Sequence, residues 1–200
     1  KLFKNFEYDD IEVELNGERI PIKPKHDSSI SGGIFRYDEH QKDHEKSKEI
    51  FKQCSESNQL FYWNFDQEGI YEIKIIFKKK LSSCAGMFCN CKNITEIDIS
   101  KFDCSNVLLC KTMFWSCSNL KKINLGKLDF ALSSSFFGMF RYCPNLEKLD
   151  VSNLNTQNAK GFKEMFLGCT KLKEINVSNF KTKNCKNISQ MFEDCKSLNR

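Results

Sequence analysis

The sequence predicts an α/β solenoid. Its array of 26-residue units carries parallel strands on one face and short helices on the other, and a small β-rich N-terminal cap precedes it. Three observations predict this. Met-Phe recurs at Met87-Phe88, Met113-Phe114, Met139-Phe140, Met165-Phe166 and Met191-Phe192, always 26 residues apart with no insertion. Several other columns keep the same period. Within each unit the apolar spacing changes from two to three and four. A period this strict means one structural unit copied along the chain, and such arrays usually work through extended surfaces.

Three residues after each Phe stands a cysteine: Cys91, Cys117, Cys143, Cys169 and Cys195. An aliphatic column follows (Ile94, Leu120, Leu146, Leu172, Leu198), then the pairs Ile97/Ile99, Ile123/Leu125, Leu149/Val151 and Ile175/Val177. Phe102, Leu128, Leu154 and Phe180 make the next column. In each pair the two apolar residues face inward and the residue between them outward, the signature of a strand. Val107, Cys110 and Phe114 lie at i, i+3 and i+7, as do Ala159, Phe162 and Phe166, which predicts one stripe of a short helix. Strands of successive units are expected to pair in parallel, joined by crossovers of sufficient length.

The string C-x-x-L-x-x-I-x-L, closed by Phe-x-x-Cys, resembles the BspA-like leucine-rich repeats in their 26-residue form, found in bacterial surface proteins and in protists. Ile97-Asp-Ile-Ser-Lys-Phe-Asp103 and Leu149-Asp-Val-Ser-Asn-Leu-Asn155 carry the resemblance most closely, and it covers residues 70–200. It implies a leucine-rich-repeat fold and a surface-exposed role in attachment to host or matrix molecules. The chain departs from the pattern at Leu128-Asp-Phe-Ala-Leu-Ser-Ser-Ser-Phe136, where apolar residues and serines replace the polar helix start.

The expected division is a capping module at 1–69 and the array at 70–200. Tyr71 and Ile73 fall in the columns of Ile97 and Ile99, so an incomplete first unit is expected there. Leu198 is followed by only two residues, so the array is expected to be cut and the chain to be a piece of a longer protein. In the first module Asn16-Gly17 between Ile11–Leu15 and Arg19–Ile22 predicts a type I′ hairpin. Asp38–Cys54 reads as a helix, and Leu60–Phe65 and Tyr71–Phe77 as strands.

A net charge of +5 with interleaved signs, and no basic stripe carrying aromatics, speak against a nucleic-acid partner. No apolar stretch approaches the roughly 20 residues of a membrane span. Lys78-Lys79-Lys80 reads as a solvated turn. His40 and His44 are spaced for one helix face but lack the glutamate of a zinc protease, and an exposed charged face is the simpler reading. No nucleophile–base pair or phosphate loop is present, so no catalytic residue, metal or cofactor is expected. Among eleven cysteines, the Phe-x-x-Cys column reads as buried free thiols; Cys84 and Cys110, one unit apart in another column, are the best disulfide candidate.

Candidate contact residues lie on the strand face: Glu96, Asp98, Lys122, Asn124, Lys148, Asp150, Glu174 and Asn176. The Asp98/Asn124/Asp150/Asn176 column reads as a polar ladder or as the floor of a ligand site, while Glu96/Lys122/Lys148/Glu174 varies between copies, where specificity can be written. Trp115 shares a column with Cys89, Arg141, Leu167 and Glu193; that mixture implies exposure, which makes it a candidate contact residue, although packing on a neighbouring Lys stem is the simpler reading. Asn93-Ile-Thr95 and Asn187-Ile-Ser189 are glycosylation sequons that matter only in a secreted chain, and Asn187, beside core-column Ile188, is the less accessible. The expected function is a non-enzymatic interaction or adhesion module binding a protein or surface glycan. The alternatives are an intracellular scaffold, favoured if all thiols are free, and a regulatory segment of an enzyme lying outside this chain. Localisation follows the same fork: cell surface by resemblance, cytoplasmic if the cysteines are unpaired.

Overall fold

The structure, a computed structural model, describes residues 11–20, 70 and 72–199. The expected helix Asp38–Cys54, the strand Leu60–Phe65, and His40, His44 and Cys54 lie outside the described residues. Two compact units divide between Lys80 and Leu81, later in the chain than the expected 69/70 boundary.

In the first unit, β1 (Ile11–Leu15), β2 (Glu18–Ile20) and β3 (Ile73–Phe77) form an antiparallel sheet in the order β2-β1-β3. Asn16 (φ 49°) and Gly17 (φ 85°) turn the hairpin, both in the left-handed region that a type I′ turn requires. Asn16 also holds the start of β3: its amide donates to Glu72 O, and the Glu72 amide donates to Asn16 Oδ1, both at 2.9 Å. Glu12 pairs with Arg19 and Lys78, and Glu14 with Lys74. The predicted place of β3 in the repeat register is corrected here. β3 runs antiparallel to β1, with Val13 opposite Ile75, because alternation alone does not choose a strand's partner.

The second unit consists of coils of 26 residues that begin, in one column, at Leu81, Val107, Ser133, Ala159 and Cys185. The short strands β4 (Glu96–Asp98) and β5 (Lys122–Asn124) pair in parallel with Ile97 opposite Ile123. β6 (Lys148–Leu149) and β7 (Glu174–Ile175) do the same with Leu149 opposite Ile175. Between β5 and β6 there is no ladder; there the Asn145 side-chain amide reaches Ser118 O at 2.8 Å. Parallel bridges at Ser83/Leu109, Ser135/Gly161 and Gly161/Asn187 form a further line of contact between coils.

The described residues contain no helix, which corrects the expected short helices. Each coil instead has two left-handed residues flanking its Met-Phe pair. One column is Gly86, Thr112, Gly138, Glu164 and Gln190; the other is Asn90, Ser116, Tyr142, Gly168 and Asp194. Left-handed residues four apart cannot belong to a right-handed helix. Alternate amides leave the coil altogether. Those of Gly86, Phe88 and Asn90 donate to the carbonyls of Lys111, Met113 and Trp115 at 2.7–3.0 Å, and those of Gly138, Phe140 and Tyr142 to Lys163, Met165 and Leu167. The intervening amides close tight turns, as Met87 to Cys84 O and Cys89 to Gly86 O. These amides thus find partners without a helix.

The interior follows the predicted columns. Met113, Phe114, Cys117 and Leu120 are fully buried, as are Met139, Phe140, Cys143 and Leu146. The Phe rings of successive coils stack face to face from Phe88 to Phe192, with centroids 5.2–5.8 Å apart and planes within 12°. In the last coil the same columns are less covered, and Ile188 is 61% exposed where Cys110, Phe136 and Phe162 are buried. Its expected core position is corrected, because no further coil among the described residues lies over it.

Candidate functional site

All eight strand-face residues point outward. The Asp/Asn column serves the backbone first. Asp98, Asn124, Asp150 and Asn176 each accept, through Oδ1, the amide two residues on (Ser100, Gly126, Ser152, Ser178) at 2.8–3.2 Å. These Asx turns end each strand and steer the chain into the corner. Asn124 Nδ2 also donates to Asp98 Oδ2 at 3.1 Å, one rung of the expected ladder. Hydrogen bonds from Ser100, side chain and backbone, hold the Asp98 carboxyl below its ordinary value, and Ser152 does the same for Asp150. The two neighbouring columns are freer. Lys122 Nζ meets Glu96 Oε1 at 2.7 Å with both side chains mostly in solvent, and Lys173 meets Glu147 at 2.8 Å. Such exposed pairs are screened by solvent and stabilise little.

Trp115 is not a surface residue: it is 1% exposed, and its expected exposure is corrected. One coil on, the Arg141 guanidinium lies over its ring at 5.3 Å. Arg141 is pinned in turn, with Nη1 on Glu164 Oε2, its carbon 4.8 Å from the Tyr142 ring, and Nη2 at 3.4 Å from the Tyr142 hydroxyl. The Arg141 and Glu164 side chains are only 16% and 9% exposed. Lys163 also reaches Glu164, at 3.2 Å, and its ammonium lies 5.9 Å from the centre of the Phe137 ring. The chain Phe137–Lys163–Glu164–Arg141–Tyr142, on a floor of Trp115, is one connected cluster that the sequence reading missed. Two signals were available: Arg141 follows Trp115 by one period, and Tyr142 is the lone bulky residue in a left-handed column otherwise made of Asn90, Ser116, Gly168 and Asp194.

The cysteine column has a polar task as well as an apolar one. Cys117, Cys143, Cys169 and Cys195 each donate through Sγ to the carbonyl of the Phe in the preceding coil (Phe88, Phe114, Phe140, Phe166) at 3.0–3.1 Å. Alanine would supply neither the donor nor the volume of the sulfur. All ten described cysteines are free thiols. The proposed Cys84–Cys110 disulfide is therefore corrected: Cys84 Sγ turns to Leu109 O, and Cys110 Sγ to Ser133 Oγ and Ser135 O. Both sequons are exposed, Asn187 included, contrary to its expected lower accessibility; its Oδ1 accepts the Ser189 amide and hydroxyl at 2.9 and 2.7 Å.

Burial pushes the Cys110 thiol up to about 12 and Cys104 up to about 11, and it raises Cys84 and Cys143 well above their ordinary value. The unfolded chain releases these protons near its ordinary thiol pKa of about 9, while the folded chain keeps them. The unfolded state then binds fewer protons, so stability falls as pH rises from about 9 toward about 12. Urea midpoints measured across that window are expected to drop steeply, and a thiol reagent at neutral pH is expected to spare Cys110, Cys143 and Cys169 until denaturant is added. A flat profile, or prompt labelling of these three, contradicts the burial.

No helix among the described residues is long and apolar enough to cross a membrane, and no group of three or more His, Cys, Asp or Glu among them could hold a metal ion. Periodic buried columns, inter-coil backbone bonds and copy-specific outer residues define a repeat protein of stacked 26-residue coils. The chain belongs to the family described as "Mycoplasma protein of unknown function, DUF285", which matches residues 79–200. That span begins at the edge of the second unit. No curated protein and no solved structure matches the chain.

Proposed function

We propose that the second unit is a leucine-rich-repeat solenoid of the BspA-like kind, acting without catalysis as an interaction or adhesion module that binds a protein or surface glycan through its strand face. The observation that carries this reading is the contrast between repeated interior and varied exterior. The Phe and Cys columns are the same in every coil, while Glu96, Lys122, Lys148 and Glu174 differ at one exposed column. Where the fold makes the same demand five times, an exposed difference between copies is available for recognition. A fold of this kind hosts many activities, so the surface residues bear the argument.

The free thiols favour a second reading, an intracellular scaffold, because reducing compartments keep thiols unpaired. Counting thiols in denatured, unreduced protein from its native source separates the two: eleven free thiols support the scaffold, and paired cysteines support residence outside the cell. For the binding surface, a Lys122→Glu, Lys148→Glu double variant is expected to lose partners in a pull-down while keeping its melting temperature. An unchanged partner list sinks the strand-face assignment.

A further inference from the structure

We propose that Phe137, Arg141, Tyr142 and Lys163 form a second docking surface on the turn side of the coils, one that takes an acidic peptide segment bearing apolar side chains from a partner protein. It is separate from the strand face and does not depend on that surface binding anything.

The repeat supplies its own control. In the column of Tyr142 the other coils carry Asn90, Ser116, Gly168 and Asp194, all small or turn-forming residues. The fold therefore does not require an aromatic there. It opposes one, since Tyr142 sits at φ 56°, a conformation that costs an L residue with a bulky side chain about 1–2 kcal/mol. Tyr142 is nevertheless 41% exposed, so burial only partly offsets that cost. The coil asks only for a left-handed residue at this column, so the bulky, half-exposed ring answers to something other than the fold's own geometry. Gly168, in the next coil, leaves the space that the ring occupies: a Cβ at that position would lie 2.4 Å from Tyr142 Cδ1. In the column of Phe137 the neighbours are Lys111 and Lys163, so this aromatic too departs from a polar pattern.

The cluster is rigid. Arg141 is held between the Trp115 and Tyr142 rings and by Glu164, and Lys163 by Glu164 and the Phe137 face. Side chains already ordered lose little entropy on binding, and Tyr, Trp and Arg are the types that dominate interface energies. Charge selects the partner. Lys111 and Lys163 flank Phe137 in one column, Arg141 lies alongside, and the cluster's one carboxylate, Glu164, is turned inward. The outward charge is positive, which matches carboxylates, while the Tyr142 and Phe137 rings match apolar side chains.

The test uses fluorescence anisotropy of the full chain with a labelled short peptide of Glu, Asp and Leu, against the same peptide with Gln and Asn in place of the acids. Saturable, salt-sensitive binding of the acidic peptide is expected, with weak binding of the neutral one. Tyr142→Asn, the residue that Asn90 already places in this column, and Lys163→Ser should each weaken binding by about tenfold without lowering the melting temperature. Tyr142→Phe should bind normally, as should the Lys122→Glu, Lys148→Glu variant. Absence of saturable binding, equal binding of both peptides, or full affinity in Tyr142→Asn overturns the proposal. Loss of binding in the strand-face variant alone overturns it too, and assigns the peptide to the strand face.

Discussion

Replacing Phe140 by Ala is expected to destabilise the repeat unit by about 4 kcal/mol, more than any other single truncation in the Phe column except Phe114 and Phe166. Phe140 is fully buried and stacked on both sides, 5.2 Å from Phe114 and 5.8 Å from Phe166. The change removes a large buried side chain, leaves a cavity between coils that backbone bonds hold at fixed spacing, and ends two ring contacts, each of which contributes about 1 kcal/mol. Phe192→Ala is the internal comparison. It has the same neighbour geometry on one side only, 5.3 Å to Phe166, and is partly exposed, so about 1–2 kcal/mol is expected. Urea titration gives the totals. Hydrogen exchange gives the location, because stability in a repeat array passes between nearest neighbours. In Phe140→Ala the amides of residues 114 and 140, which donate to Met139 and Met165 carbonyls, should lose protection first. Equal costs for the two variants would falsify the ladder as a source of stability.

The Met-Phe period was legible because burial in stacked coils is set by column and by nothing else. The columns from Met139 and Phe140 to Cys143 and Leu146 are fully buried in the middle coils, while in the first strand column only Leu149 is buried and Ile97, Ile123 and Ile175 are half-buried. The helices were misread for a physical reason. Spacings of three and four mark any segment that turns back on itself once per few residues, and a run of tight turns with inter-coil bonds has them as well as an α-helix does. The distinguishing signal was the second set of columns, with Gly86, Gly138 and Gly168 among them, since glycine repeated at turn positions marks positive φ. β3 was misplaced because alternating apolar residues do not record whether the partner strand lies one period ahead or back at Ile11–Leu15. On the strand face the outward residues were legible by alternation, but their employment was not. An Asp followed two residues on by Ser gives equal support to a ligand floor and to an Asx turn, and only coordinates show Oδ1 of Asp98 on the Ser100 amide. For Trp115 only the exposure was misjudged, because a column average hides the pairwise event: a cationic side chain does pack on the ring, but it is the Arg141 guanidinium one coil away and not a Lys stem.

Gly168→Ala is expected to destabilise the unit by about 2–4 kcal/mol, and the partner substitution shows why. Two effects contribute. Gly168 sits at φ +75°, and an added Cβ would approach Tyr142 Cδ1 to 2.4 Å and Cε1 to 2.9 Å. The first effect is the smaller one. Four other coils hold this column in the left-handed region with a side chain attached, at Asn90, Ser116, Tyr142 and Asp194, so the backbone there tolerates a Cβ at about 1 kcal/mol. The ring is the larger. Tyr142 cannot swing aside freely, because Arg141 stacks on it at 4.8 Å and is itself fixed by Glu164. In Tyr142→Asn the obstacle is gone, so Gly168→Ala in that background should cost only about 1 kcal/mol, giving a coupling of about 1–3 kcal/mol in the double-mutant cycle. Gly126→Ala provides the contrast. Its φ is +57°, but the added Cβ would meet the backbone of Ser100, 2.6 Å from Cα and 2.8 Å from O. Truncating Ser100 to Gly leaves those two atoms in place, so no rescue is expected. Additive costs at Gly168 and Tyr142 would instead mean that the glycine answers to its own backbone and not to the neighbouring ring.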